Sequence, residues 1–288
     1  MAALTRRTAL AAAGLLPLAA ACANDDNPGD DPVPDGDERP TSGTLPNHPR
    51  LSYGPDASQW VDRYDPDGPS RGTVVVVHGG FWKAEYAADL GAPLAADLAA
   101  RGWTALNVEY RRVGNGGGFP ETFDDIHAAI NLAGVDGGPV VTLGHSAGGH
   151  LATWAAARQR FDRWVGGVEV THVLSQAGVV DLTSAYEEDL GGGAVAALMD
   201  VGPKNPVYEL ADPMRHVPLD VPVWCLHAPD DTSVPISQSR DYVEAATGAG
   251  ASAELVEVTG GHFDLINTAT QTWKTILDVL ETISPATG

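Results

Sequence analysis

From about residue 70 onward, apolar positions follow two alternating rhythms. Gly72-Thr73-Val74-Val75-Val76-Val77-His78 is apolar at successive positions. A strand formed there is buried on both faces, as in the middle of a parallel sheet. Pro93, a favoured first helical residue, opens a segment in which Leu94 and Leu98 share a face and Gly102 supplies the stop. Thr104–Tyr110 predicts the next strand, and Pro120 a helix through Phe123, Ile126, Ala129 and Ile130 that ends near Gly134. Gly138–Leu143 predicts a buried strand, followed by an Ala-rich helix over Leu151–Arg158. Further strands are expected at Thr171–Ser175, Val221–His227 and Ala253–Val258, with a helix over about Ser237–Ala246. A last helix carries Ile266, Trp273, Leu277, Leu280 and Ile283 on one face. Ahead of these, Tyr53–Tyr64 predicts an opening strand or hairpin, with turn signals at Gly54-Pro55 and Asp65-Pro66-Asp67-Gly68. Strands alternating with helices predict an α/β fold, a mostly parallel sheet with helices on both faces.

Val179 to Asp220 interrupts that rhythm and is the longest insertion. It predicts a small cap between the strands at about 171–175 and 221–227. The cap carries Asp181, Glu187, Glu188, Asp189, Asp200, Lys204, Glu209, Asp212, Arg215 and Asp220. Its apolar members, such as Tyr186, Leu190, Val195, Leu198 and Met199, supply at most one short amphipathic helix.

Composition narrows the function classes. The 288 residues carry a formal net charge of −21, which argues against nucleic acid and against electrostatic docking on an anionic membrane. Cys22 and Cys225 are the two cysteines and lie in unlike contexts, so no disulfide scaffold is expected. Cys225 reads as a small buried apolar residue in a core strand.

The N-terminal stretch reads as targeting rather than fold. Arg6 and Arg7 precede an apolar run from Ala9 to Ala21 that is too short to span a membrane. Thr5-Arg6-Arg7-Thr8-Ala9-Leu10 resembles a twin-arginine signal. Ala19-Ala20-Ala21-Cys22 resembles a bacterial lipobox, in which Cys22 would be lipidated and become the new N-terminus. The alternative is cleavage near Ala21 and release of a soluble secreted protein. The expected division is an export signal over 1–22, a disordered acidic, Pro- and Gly-rich tether over 23–49, and one domain over 50–288 with its cap at about 179–220.

Candidate chemistry centres on Leu143-Gly144-His145-Ser146-Ala147-Gly148-Gly149-His150. Gly144-x-Ser146-x-Gly148 falls between a predicted strand and a predicted helix, the context of a nucleophile elbow. So tight a turn leaves no room for side chains two residues to either side of the serine. It also aims the hydroxyl over a helix N-terminus, where N–H groups favour developing negative charge. His78-Gly79-Gly80-Phe81-Trp82, after the clearest strand, is the candidate oxyanion loop. Its Gly80 and Phe81 N–H groups, with Gly79 as an alternative, would join that of Ala147. His78 is expected to brace that loop, and Trp82 to line the pocket or fill the core. His145 is a further pocket candidate. His145 and His150 are five apart, which is not the spacing of a helical zinc pair, and no metal or cofactor is expected.

Together, His78-Gly79-Gly80-Phe81-Trp82, Gly144-His145-Ser146-Ala147-Gly148-Gly149-His150-Leu151, Gly261-His262 and Asn107-Val108-Glu109-Tyr110-Arg111 resemble the esterase/lipase branch of the α/β-hydrolases. They are similar to hormone-sensitive-lipase-like esterases and to kynurenine formamidase-like proteins. In that fold the chain order is nucleophile, acid, histidine. The acid belongs in the loop after Val221–His227, where Asp230 and Asp231 offer carboxylates. The histidine follows the last strand, where His262 alone remains. His227-Ala228-Pro229-Asp230-Asp231-Thr232-Ser233-Val234-Pro235 resembles a stretch common in these enzymes, and that resemblance places the acid on Asp231. It implies a serine hydrolase acting through Ser146, Asp231 and His262 on a small-molecule ester or amide; the N-terminal signal adds export, and the polar cap a preference for short-chain carboxylic esters. An arylformamidase or a peptidase of the same fold is the alternative enzyme, and a non-catalytic binding module on a hydrolase scaffold the alternative of another class.

Overall fold

The structure is a computed structural model, and it describes residues 48–133 and 138–283. Eight strands form one sheet: β1 (Arg50–Ser52), β2 (Trp60–Tyr64), β3 (Thr73–Val77), β4 (Thr104–Glu109), β5 (Val140–His145), β6 (His172–Gln176), β7 (Val223–His227) and β8 (Ala253–Glu257). Their spatial order is β1-β2-β4-β3-β5-β6-β7-β8. The first two pairings are antiparallel and the rest parallel. The opening hairpin is thus two strands, with β1 starting ahead of the expected Tyr53. The expected signal over 1–22 and the expected tether over 23–49 lie outside the described residues, except for His48 and Pro49, as does the expected helix end near Gly134.

Every residue of β3, β4 and β5 is buried. The alternation of side chains along β3 sends Val75 and Val77 to one face and Val74 and Val76 to the other. The first face packs against α2 (Glu121–Ile130), α3 (Ala147–Ala157) and α7 (Ser237–Gly248), through Phe123, Ile126, Leu151, Trp154 and Tyr242. The second packs against α1 (Ala92–Ala100) and α8 (Gln271–Thr282), through Leu94, Leu98, Trp273, Ile276 and Leu280. At about 1.5–3 kcal/mol for each fully buried aliphatic or aromatic side chain, these faces dominate the stability of the sheet. Ile266 and Ile283 flank α8 rather than belonging to it: Ile266 sits in a single-turn helix over His262–Ile266, and Ile283 follows the last turn.

The cap differs from the expectation of one short helix. It contains three: α4 (Leu182–Glu187), α5 (Ala194–Met199) and α6 (Tyr208–Ala211). Each is anchored by a few apolar side chains pointing inward, among them Leu182, Ala185, Val195, Leu198, Met199, Tyr208 and Ala211. Asp181 caps α4 through the Ser184 N–H at 2.9 Å. Buried Asp212 accepts from the Leu182 N–H at 2.9 Å and the Thr183 hydroxyl at 2.9 Å, so one carboxylate ties the end of α6 to the start of α4.

Candidate active site

Parallel strands deliver their following loops to one sheet edge, and the candidate residues use that edge. The Gly79–Trp82 loop leaves β3, Ser146 leaves β5, Asp231 follows β7, and His262 follows β8. Ser146 adopts φ 56° and ψ −119° between β5 and α3. An L-residue held there is strained, and the surroundings over-determine it. The Ser146 N–H donates to the Gln176 carbonyl at 2.8 Å, and the Ser146 carbonyl accepts from the His150 N–H at 3.2 Å and the Val179 N–H at 3.3 Å. A Cβ at Gly144 would overlap the Gly148 carbonyl, and one at Gly148 would overlap the Val77 carbonyl. The flanking glycines are therefore a matter of contact between β3, β5 and α3. The helix begins at Ala147, directly after the serine and four residues ahead of the expected start.

Asp231 and His262 are brought together. The His262 Nδ1–H donates to Asp231 Oδ2 at 2.7 Å, and Oδ1 accepts from the N–H groups of Ser233 at 2.8 Å and Val234 at 2.9 Å. Burial pushes the Asp231 carboxyl up, but the bond and charge of His262 and the two N–H groups outweigh it and hold it below the ordinary carboxylate value. The neighbouring Asp230 is exposed. Adjacent residues point apart, so only one of the pair reaches the histidine. Among the described residues no hydrogen bond joins the Ser146 hydroxyl to His262; bonds of this kind are often long or misaligned without substrate.

Phe81 and Trp82 take left-handed φ values of 52° and 55°. Among the described residues nothing accepts a hydrogen bond from the N–H groups of Gly80, Phe81 or Ala147. These are free donors at a helix start and a strained loop, as an oxyanion site requires. His78 braces the loop from beneath. Its Nδ1–H donates to the Gly79 carbonyl at 2.8 Å and its Nε2 accepts from Arg112 at 3.1 Å. Arg112 is itself paired with buried Glu109. Burial, with the Arg112 charge adding to it, lowers the His78 pKa to about 3, so the ring is neutral and its tautomer fixed.

Both pocket candidates are buried, as Ser146 and His262 are. Trp82 is 1% exposed and packs edge-on to His150 at 5.2 Å inside the core. His145 is 4% exposed, and its Nε2–H donates to the His262 main-chain carbonyl at 2.9 Å. Residue type and order place these side chains at the site, but depth depends on packing that the sequence does not display. Three further residues support the site; of these His227 opens the motif that marks Asp231, and Gln176 and Ser239 carry no prior signal. Gln176 donates to the Leu265 carbonyl at 2.7 Å and pins the His262 turn. His227 donates from Nε2 to the Val234 carbonyl at 2.9 Å beneath Asp231, and Ser239 bonds the other nitrogen of that ring at 2.7 Å.

The comparisons with known proteins agree with this architecture. A family model described as BD-FAE matches residues 62–245, more than half of the chain. Esterase LipC of Mycobacterium tuberculosis is 27% identical over 245 residues, 76% of this chain and 60% of that protein. LipM of the same organism, a probable carboxylic ester hydrolase, is 28% identical over 62% of this chain and 46% of that protein. The chain thus spans about half the length of the curated relatives it matches. A truncated carbohydrate esterase from gut microbiota superposes with a TM-score of 0.68 at 24% identity, covering 81% of this chain and 94% of that one. Est2, an esterase of Thermogutta terrifontis, gives 0.66 at 21% identity over 82% and 91%. At such identities the likeness speaks for the fold, which is that of the α/β-hydrolases.

Proposed function

The chain belongs to the BD-FAE family, and from that premise and the geometry above we propose that it is a serine hydrolase of carboxylic esters. The observation that carries this reading is the 2.7 Å bond from His262 to Asp231 at the sheet edge where strained Ser146 sits. The relatives named as esterases support the substrate class. Ser146 Oγ attacks the ester carbonyl while His262 Nε2 takes its proton. Asp231 holds the imidazole in the Nδ1–H tautomer and balances the imidazolium. The N–H groups of Ala147 and of Gly80 and Phe81 receive the oxyanion. His262 returns the proton to the leaving alcohol, and water repeats the sequence to release the acid and restore Ser146.

The acyl group is short. The apolar side of the cap is turned inward, and the exposed large apolar residues among the described ones are Val165 and Tyr186. A lipase working at an oil surface needs a broad apolar face, and this cap offers none. The expected preference runs from acetyl to about hexanoyl, with each methylene worth at most about 0.8 kcal/mol until the pocket ends. Measurement of kcat/KM over p-nitrophenyl esters of rising length tests this, with N-formylkynurenine alongside. An optimum at long chains overturns the short-acyl reading, and a formamide turned over far faster than every ester replaces the esterase with an arylformamidase. The protein is further proposed to be exported and anchored through Cys22. Cys22→Ala is then expected to move it from the membrane to the soluble fraction, and an unchanged distribution rejects the anchor.

A further inference from the structure

One buried side chain outside the reacting set joins two of the loops that carry it. His145 ends β5 and is followed directly by Ser146. Its Nε2 lies 2.9 Å from the main-chain carbonyl oxygen of His262. A carbonyl oxygen only accepts, so Nε2 carries the proton. The two imidazole rings lie 4.4 Å apart, tilted by 49°. We propose that His145 is a positioning residue whose hydrogen bond to the His262 carbonyl fixes the loop of the base against the strand end of the nucleophile, setting the approach of His262 Nε2 to Ser146 Oγ. The proposal rests on the roles given to Ser146 and His262 above.

The surroundings leave His145 little else to do. Ser146 is held on its other side by the Gln176 carbonyl at 2.8 Å, so the strand end that His145 grips is fixed. Gln176 pins the same turn at Leu265, three residues beyond His262, at 2.7 Å. Of these two ties, His145 makes the one on the base itself. Burial, and after it the neighbouring His262, holds His145 well below the ordinary histidine range. It therefore stays neutral and does not repel the imidazolium that forms beside it. A misplacement of about 1 Å, caused by a change outside the reacting groups, can cost about 100-fold in rate.

Three variants separate this role from packing. In His145→Gln the amide nitrogen reaches the position of Nε2 and keeps the donor. In His145→Asn it stops near the position of Nδ1 and the donor is lost. His145→Leu fills volume with no donor. With p-nitrophenyl acetate and the full chain, kcat is expected within about threefold of wild type for Gln and lowered about 10–100-fold for Asn and Leu. KM is expected within about twofold throughout, because alignment is lost rather than binding. Circular dichroism melting checks that each variant is folded, and the Gln–Asn pair keeps the test valid if Leu is not. Gln as damaged as Asn, or a raised KM with unchanged kcat, overturns the proposal. Wild-type turnover in Asn overturns it as well. Fluorophosphonate labelling tells this failure from that of the hydrolase reading: wild type that does not label at Ser146 defeats the reading, whereas wild type and Asn labelling at equal rates defeats only the positioning role.

Discussion

At φ 56° and ψ −119°, Ser146 occupies a region that costs a non-glycine residue about 1–3 kcal/mol. Ser146→Gly is therefore expected to raise the melting temperature while abolishing turnover, and Ser146→Ala to abolish turnover with the strain retained. A melting temperature lowered by glycine would contradict the strain argument. For the acid, Asp231→Asn is expected to lower kcat by several orders of magnitude and Asp230→Asn by less than about twofold, because only Asp231 meets His262. A larger loss at Asp230 would reverse the assignment. The pairing of Asp231 with His262 was legible because chain order and a short motif constrain residue type and loop. The burial of Trp82 and His145 was not, since the same residues in the same order could face a cleft or a core.

The buried histidines also set how the protein responds to acid. Burial lowers His78 to about 3 and His150 to about 4, and holds His145 well below its ordinary value. An unfolded histidine titrates near 6.5, so between these values the unfolded chain binds more protons than the folded one, and stability rises with pH. Their contribution is complete above about pH 6.5 and is lost as pH falls toward 4, each group adding a slope of about 1.4 kcal/mol per unit. Burial, against the N–H groups of Leu182 and Thr183, raises Asp212 to about 6, which acts in the opposite sense between about pH 4 and 6. Burial raises the Glu109 carboxyl as well, but among the described residues it lowers seven histidines, so net acid destabilisation is expected. Urea midpoints from pH 8 to 4 check it, and a flat profile would contradict it.

At the scale of elements, the strands and long helices were legible because each buries a face through a repeated pattern of apolar residues. The cap helices have six residues or fewer, too few for a period to show, and tertiary contacts hold them. His150 donates to the Ala211 carbonyl at 3.0 Å and Trp154 to the Leu210 carbonyl at 2.8 Å, tying the elbow helix α3 to α6. On the other side, Gly191 lies under the Phe81 ring so closely that a Cβ would overlap it, and its φ is 63°. The cap thus leans on the loop of the proposed oxyanion donors. Gly191→Val is expected to displace Phe81 and lower kcat/KM about tenfold or more, with a modest loss of stability. Phe81→Ala removes the clashing ring, so the double variant should recover part of that loss. Simple additivity of the two would show that the contact does not couple the cap to the loop.

At the scale of the whole molecule, strand direction decides where the chain enters relative to the site. β1 is antiparallel to β2, and β2 is antiparallel to β4. Two reversals give β1 the direction of β4; through Asp62, Arg50 stands level with Asn107, and His48, whose ring lies 3.6 Å from that of Tyr64, stands further back, toward the edge where the parallel strands begin. Ser146, Asp231 and His262 follow strand ends at the other edge: Tyr64 stands level with Val141, five residues before Ser146, or about 17 Å at roughly 3.3 Å per residue. The described chain therefore enters the fold from the side remote from the site, and with the proposed anchor at Cys22 the site is expected to stay accessible on a membrane. The formal charge of −21 works in the same direction, since anionic lipid repels an acidic domain. On vesicles carrying about a third anionic lipid, the full chain and Cys22→Ala are accordingly expected to hydrolyse p-nitrophenyl butyrate with kcat/KM equal within about twofold. The anchored rate should not change as salt is raised from about 0.05 to 0.5 M, a range over which the screening length shrinks severalfold. An anchored rate depressed tenfold, or one that recovers with salt, would mean that the bilayer reaches the mouth of the site.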